Sequence, residues 1–212
     1  YENEQPVVDE TKANNRLAHG FMHNLVDDKI NYLLLKPLTM TCEDEKYLDA
    51  VKQTLGKRFQ KRLAQLGTEA SNKGIAWLHV YINAEGEFKT MKIPSEQCIP
   101  LWIDNDHEEL QAFIRYYDVE VYEGKEKKVV TKIEYHEPDG VEYYEIKDGK
   151  VILDAEKYLN GEREGNLLPH FTIDGKLGTW ERVPFIPFKN NDKELRSAVY
   201  QNTHRRLRQN QV

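Results

Sequence analysis

The sequence predicts an α+β domain in which N-terminal amphipathic helices pack against a largely antiparallel, meander-like β-sheet. Three observations carry that expectation. Apolar residues recur at three- and four-residue steps in the first part of the chain. From residue 75 the period falls to two. The alternating segments are divided by glycine- and proline-containing turns instead of further helices, which is the block order of an α+β domain and not the interleaved order of a parallel sheet.

The first helix follows from Asn14 and Asn15, both capping residue types, and from Leu17, Phe21 and Leu25 with Met22, Val26, Ile30, Leu33 and Leu34 on neighbouring turns. It should stop near Lys36, because Pro37 has no N–H and restricts the residue before it. Thr41 and Asp44 open a second helical stretch whose Leu48, Val51, Leu55, Phe59, Leu63 and Leu66 trace one face. Gly56 divides this stretch into two pieces and Gly67 supplies its stop.

Next, IAWLHVYI sends Leu78, Val80 and Ile82 to one side and Trp77, His79 and Tyr81 to the other. Asn83-Ala84-Glu85-Gly86 turns the chain, and EFKTMKI returns to Pro94 as the second arm of a hairpin. A short strand at 99–103 and an alternating segment at 110–122 follow. Glu123-Gly124-Lys125 leads into KKVVTKIEYHE, where Val129, Thr131, Ile133 and Tyr135 share a face, and Pro138-Asp139-Gly140 reverses the chain. VEYYEIK and KVIL meet at Asp148-Gly149, a two-residue hairpin signal. Residues 155–178, with Gly161, Gly165, Gly175 and Gly178, read as irregular connections holding one short strand at 170–173. The closing TWERVPFIPFKNN carries Pro184 and Pro187, which suit an edge strand or a rigid extended crossing.

With 212 residues, 39% hydrophobic and 10% aromatic, the chain can bury a real core, so one domain with appendages is the expectation. The longest apolar run, at residues 32–35, is far short of a membrane span, and YENEQPVVDE at the start is acidic and polar, unlike an export signal. Cys42 and Cys98 form neither a disulfide framework nor a metal knuckle, which makes a reducing compartment the default. A formal charge of −6 argues against a surface that clings everywhere to nucleic acid. The charge is uneven: at 192–212, Lys193, Arg196, Arg205, Arg206 and Arg208 oppose only Asp192 and Glu194, leaving −9 for residues 1–191.

The candidate chemistry is thin. His19 and His23 share a helix face, but HGFMH lacks the glutamate of the metalloprotease helix and no third ligand is in sight. Asp104, Asp106, Glu108 and Glu109 with His107 fit no calcium-loop spacing and read as a solvated loop. There is no GxSxG, and Cys42 and Cys98 stand in no nucleophile context. Neither GxxxxGK[ST] nor GxGxxG occurs, so no cofactor-binding loop is expected. Trp77, Trp102 and Trp180 are core or sheet-packing residues. The tail arginines Arg196, Arg205, Arg206 and Arg208 have the footprint of a contact with DNA phosphates or an acidic protein face, the alternative being a solvated helix or a frayed end.

Three segments in order remain distinctive: NNRLAHGFMHNLVDDKINYLLLKP at 14–37, GIAWLHVYINAEGEFKTMKIPSEQCIPLWID at 74–104 with IRYYDV at 114–119, and WERVPFIPFKNN at 180–191. Together they resemble the portal proteins of long-tailed phages and prophages of Gram-positive bacteria, in the wing region at the outer part of the ring. The structural motif shared in the last segment is Trp180, Pro184, Phe185, Pro187, Phe188, Asn190 and Asn191.

The resemblance implies a wing-like α+β domain over 14–191, a flexible segment over 1–13 and a basic tail, helical or frayed, over 192–212. It implies a homo-oligomeric ring of twelve subunits at one capsid vertex of the virion, assembled in the host cytoplasm. Double-stranded DNA would pass through its channel without sequence-specific contact, with terminase, scaffold or capsid proteins and head-tail connectors as partners. No membrane, catalytic residue, cofactor or metal is implied. One departure stands out: the family continues past this motif into a long apolar helix, whereas 193–212 is basic and polar, so the chain reads as truncated or as joining segments not adjacent in the native protein. Stem, clip and channel loop are not expected in it. Two other readings stay open at this point, a carbohydrate-type hydrolase using paired carboxylates and a nucleic-acid-binding module using the arginine-rich tail.

Overall fold

The computed structural model describes residues 20–124, 126–158 and 165–190; Asn14, Asn15, His19, Gly161, Asn191 and the tail arginines lie outside them. Helix α1 (Phe21–Leu34) ends where expected before Pro37, with the Leu35 amide donating to the Asn31 carbonyl at 3.3 Å. Helix α2 (Glu45–Leu55) is capped by Asp44, whose carboxylate accepts from the amides of Lys46 at 2.9 Å and Tyr47 at 3.1 Å. Glu45 in its first turn and Lys52 in its last complement the helix dipole. Gly56, at φ 71°, closes α2, so the division expected there is present.

Helix α3 (Phe59–Lys73) runs through Gly67, where a stop was expected, and ends at Gly74 with φ 86°. The reason is packing. A Cβ on Gly67 would sit 2.6 Å from Leu34 Cδ1 and 2.9 Å from Ile30 Cδ1, so the bare backbone is what lets α1 lie close. Glycine inside a helix costs about 1 kcal/mol relative to alanine, and the burial of Val26 and Ile30 against α3 offsets it.

The strands follow in order: β1 (Ile75–Ile82), β2 (Phe88–Ile93), β3 (Cys98–Trp102), β4 (Leu110–Glu123), β5 (Glu126–Glu137), β6 (Gly140–Lys147), β7 (Lys150–Leu153), β8 (Phe171–Ile173), β9 (Lys176–Gly178) and β10 (Phe185–Lys189). Every pairing among them is antiparallel. They divide into a three-stranded sheet of order β10-β1-β2, a five-stranded meander β3-β4-β5-β6-β7, and the small hairpin β8-β9. The irregular stretch thus holds two short strands, where a single one was expected. The proline-bearing β10 takes the edge position that suits it.

Strand β1 is buried on both faces. Ala76 and Leu78 meet Leu66 and Ala70 of α3, together with Phe188. Ile75 and Trp77 join Ile93, Cys98, Phe113, Val183 and Phe185 between the two sheets. Within that layer the Trp77 ring meets Phe113 edge-on at 4.8 Å and Phe113 stacks on Phe185 at 3.9 Å. The result is three layers, helices on the small sheet and the small sheet on the meander, which is the α+β arrangement expected.

Candidate functional site

The segment 180–190 is built as a strap across all three layers. The Trp180 ring packs on Phe171 at 4.9 Å and Phe88 at 6.5 Å, and its backbone amide donates to His170 Nδ1 at 3.3 Å. The Pro184 carbonyl accepts from the Val80 amide at 2.9 Å. In the ladder, Phe185 stands opposite His79, Pro187 opposite Trp77 and Phe188 opposite Ala76. Since successive strand residues face opposite ways, Phe185 enters the layer between the sheets while Phe188 enters the layer under α3. Asn190 closes the strap: its amide donates to the Gly74 carbonyl at 2.9 Å, and its Oδ1 accepts from Lys29 Nζ at 2.6 Å and Ser71 Oγ at 3.5 Å. Six of the seven motif residues therefore lie on one strap; Asn191 is outside the described residues.

Beside the strap lies a polar cluster that the strands assemble from distant parts of the chain. Glu134, 8% exposed, accepts from Tyr117 Oη at 2.8 Å, from Arg115 Nη1 at 3.3 Å and from His136 Nε2 at 3.3 Å. Because a carboxylate only accepts, His136 Nε2 carries the donated hydrogen. Burial pushes the Glu134 carboxyl up, but His136, Arg115 and Tyr117 outweigh it and hold the group at about 2. Arg115 also stacks over the Tyr117 ring at 4.0 Å.

Three imidazoles meet here. His79 stacks on Phe185 at 4.4 Å and meets His136 at 5.3 Å, and His136 stacks with His170 at 6.1 Å. Burial, reinforced by the neighbouring His136, pushes His79 down to about 3 and His170 down to about 4. His79 Nδ1, Arg115 Nε, His136 Nδ1 and His170 Nε2 are buried without a protein partner around a cavity of about 200 Å³, roomy and polar enough for bridging water.

This arrangement ties the interior together and offers little for bond-making chemistry. The Tyr117 hydroxyl is pushed up by burial and by Glu134, on which its proton is spent. The buried Cys98 thiol is likewise pushed up by burial, away from the thiolate a nucleophile needs. A glycosidase acid needs a raised carboxyl. Glu69 and Glu134 instead sit at about 2, burial being outweighed at Glu69 by Lys73, Lys92 and the Ser95 amide. Lys132 similarly draws Glu145 at 2.9 Å and Asp154 at 3.0 Å into one ion cluster.

The other residues singled out in the sequence have modest places. His23 lies on exposed helix surface, 3.3 Å from Asp27. Asp104 accepts from the amides of Glu108 at 3.1 Å and Glu109 at 3.3 Å, so the acidic run is a loop held by its own backbone. His107, at φ 58°, stacks on Trp102 at 5.3 Å. Among the described residues no group of three or more His, Cys, Asp or Glu side chains converges as a metal site. No helix among them is long and apolar enough to cross a membrane. The histidine cluster went unnoticed in the sequence; its one signal was that His79 shares the Trp77 face of an apolar strand.

A portal protein of Bacillus phage SPP1 is 36% identical over 189 residues, which is 89% of this chain and 36% of that protein. A portal protein of Clostridium phage phiCD119 is 32% identical over 193 residues, 86% of this chain and 40% of that protein. The chain thus spans well under half the length of these curated relatives. A family model described as phage portal protein, SPP1 Gp6-like, matches residues 1–203, and on that match the chain belongs to the SPP1 Gp6-like family of phage portal proteins.

Proposed function

We infer that this chain is the wing-type part of a phage portal subunit and that it acts by shape and association. In this reading the complete subunits form a ring at one vertex of the capsid. The ring is the conduit through which double-stranded DNA is packaged and ejected, and it docks terminase on one side and head-tail connector proteins on the other. The subunit makes and breaks no bonds and takes no cofactor. It is found in the virion after assembly in the host cytoplasm. The single observation that supports this best is the family match across residues 1–203.

The physical character of the domain agrees with it. Glu134, Arg115, Tyr117 and His136 are tied to one another in its interior, and the chain's acidic charge of −6 suits DNA that must slide past without tight, sequence-reading contacts. Arg196, Arg205, Arg206 and Arg208 are the candidate contacts for DNA or an acidic partner, acting on phosphates or carboxylates rather than on base edges. The test is antibody labelling of particles that carry the chain, viewed by electron microscopy. Label confined to a single vertex, or to the head-tail junction, is expected. Label spread over the capsid shell, or absent from opened particles, would reject the reading.

A further inference from the structure

The two edges of the three-stranded sheet, whose order is β10-β1-β2, carry opposite charge. Beside β2, where α2 passes into α3 at Gly56, lies an open cavity of about 620 Å³. Its charged lining is Lys57, Arg58, Arg62 and Lys89 with the single carboxylate of Glu87. Residues 50–68 make this elbow basic: they hold Lys52, Lys57, Arg58, Lys61 and Arg62 and no acidic residue, in a chain whose net charge is −6. Arg62 is anchored on Thr90, and Lys89 pairs with Glu87 at 2.8 Å. Lys57 and Arg58 are exposed, and neither has an ion pair among the described residues.

Beside β10, the other edge, the strap meets the meander around an open cavity of about 580 Å³. Its charged lining is Glu108, Glu109, Glu137, Asp139 and Glu181 with the single guanidinium of Arg182. Glu137 accepts from Tyr135 Oη at 3.0 Å. Glu108, Glu109 and Glu181 are exposed, and none of their carboxylates is ion-paired among the described residues. Ile103, 61% exposed, adds apolar surface to the same cavity.

Like charges gathered in one place repel one another, and a surface of the opposite sign relieves that repulsion. Nucleic acid would answer the basic edge and leave the acidic one unexplained, whereas a second copy of this chain answers both. Lying at opposite edges of one sheet, the two patches leave each copy a free basic edge and a free acidic edge after one contact forms, so the same contact repeats head to tail. We propose that the basic elbow at Lys57 and Arg58 of one copy docks on the acidic groove at Glu108, Glu109 and Glu181 of the next. The proposal rests on the portal reading for the meeting of copies in a ring, and adds which surfaces meet. Exposed ion pairs each contribute little to affinity; as a set they steer encounter and fix register, so their effect is on the rate of association.

The test uses the complete gene product that carries this chain, with ring assembly followed by light scattering and native mass spectrometry. Lys57→Glu with Arg58→Glu reverses the elbow. Glu108→Lys with Glu109→Lys reverses the groove and keeps the amides that hold Asp104. Each variant alone sets like charge against like and should assemble about tenfold more slowly than the parent at low salt. The chain carrying all four changes has the charges exchanged and should regain the parent rate. An equimolar mixture of the two variants should also regain it, in rings where the two masses alternate. Parent rates in either variant alone, or no recovery in the mixture and the fourfold variant, would overturn the proposal while leaving the portal reading intact. Loss of duplex DNA retention by the elbow variant, with no recovery on mixing, would assign the basic edge to nucleic acid instead. A parent that forms no rings would sink both readings.

Discussion

At the scale of single residues, the interior of this domain is a set of charges held in fixed states. Glu134 is ionised and gripped by Arg115, Tyr117 and His136. Glu134→Gln keeps the shape but leaves the half-buried guanidinium without its counter-charge, so it should cost about 3 kcal/mol and lower Tm by roughly 10 °C in a thermal melt; a Tm within about 2 °C of the parent would show the grip to be decorative. The histidines set the response to acid. Burial holds His79 at about 3 and His170 at about 4 in the folded chain, below the ordinary 6.5. An unfolded chain therefore takes up protons that the folded one refuses as pH falls from about 6.5. Stability is full above that value and is lost progressively as pH falls, down to about 4 for His170 and about 3 for His79, while Glu69 and Glu134, at about 2, add to the loss below pH 4.5. Urea midpoints measured between pH 4 and pH 7 should show this fall, and His170→Gln should make it shallower by nearly one proton. An unchanged slope in that variant would mean that His170 takes up its proton without cost.

At the scale of elements, β10 decides whether the layers hold together. Phe185 reaches both His79 and Phe113, so Phe185→Ala should cost about 4 kcal/mol in chemical denaturation, whereas exposed Ile186→Ala next to it should cost less than about 0.5 kcal/mol. Similar losses at the two positions would mean that the strand acts through its backbone alone. Much of this level was legible in the sequence. Strands β1, β2 and β4–β7 announced themselves by alternation and by turn residues such as Asp148-Gly149, and the two prolines marked β10 as an edge. The role of Gly67 was not legible, because a glycine that ends a helix and one that admits a neighbouring helix are written with the same letter, and only the Leu34 and Ile30 contacts distinguish them. Nor was the division into separate sheets legible. The pairing of β10 with β1 joins Phe185 to His79 across the whole meander, and local periodicity carries no register between such distant segments. The histidine cluster was hidden for the same reason: its members come from β1, β5 and the segment before β8.

At the scale of the whole molecule, the strap at 180–190 makes one frame of helices, small sheet and meander, and its end at Asn190 is tied to α1 and α3. The family could be read from three ordered segments because each is shaped by one packing contact. Helix α1 lies on Gly67, the β1-β2 hairpin lies under α3, and the strap crosses both sheets. A frame of this kind suits a subunit whose work is to hold position against its neighbours. The most direct measurement is native mass spectrometry of the complete gene product that carries this chain, with electron microscopy of the same sample. Closed rings with a central channel are predicted. Single subunits persisting at every concentration and salt tested would contradict the claim that this protein works by self-association.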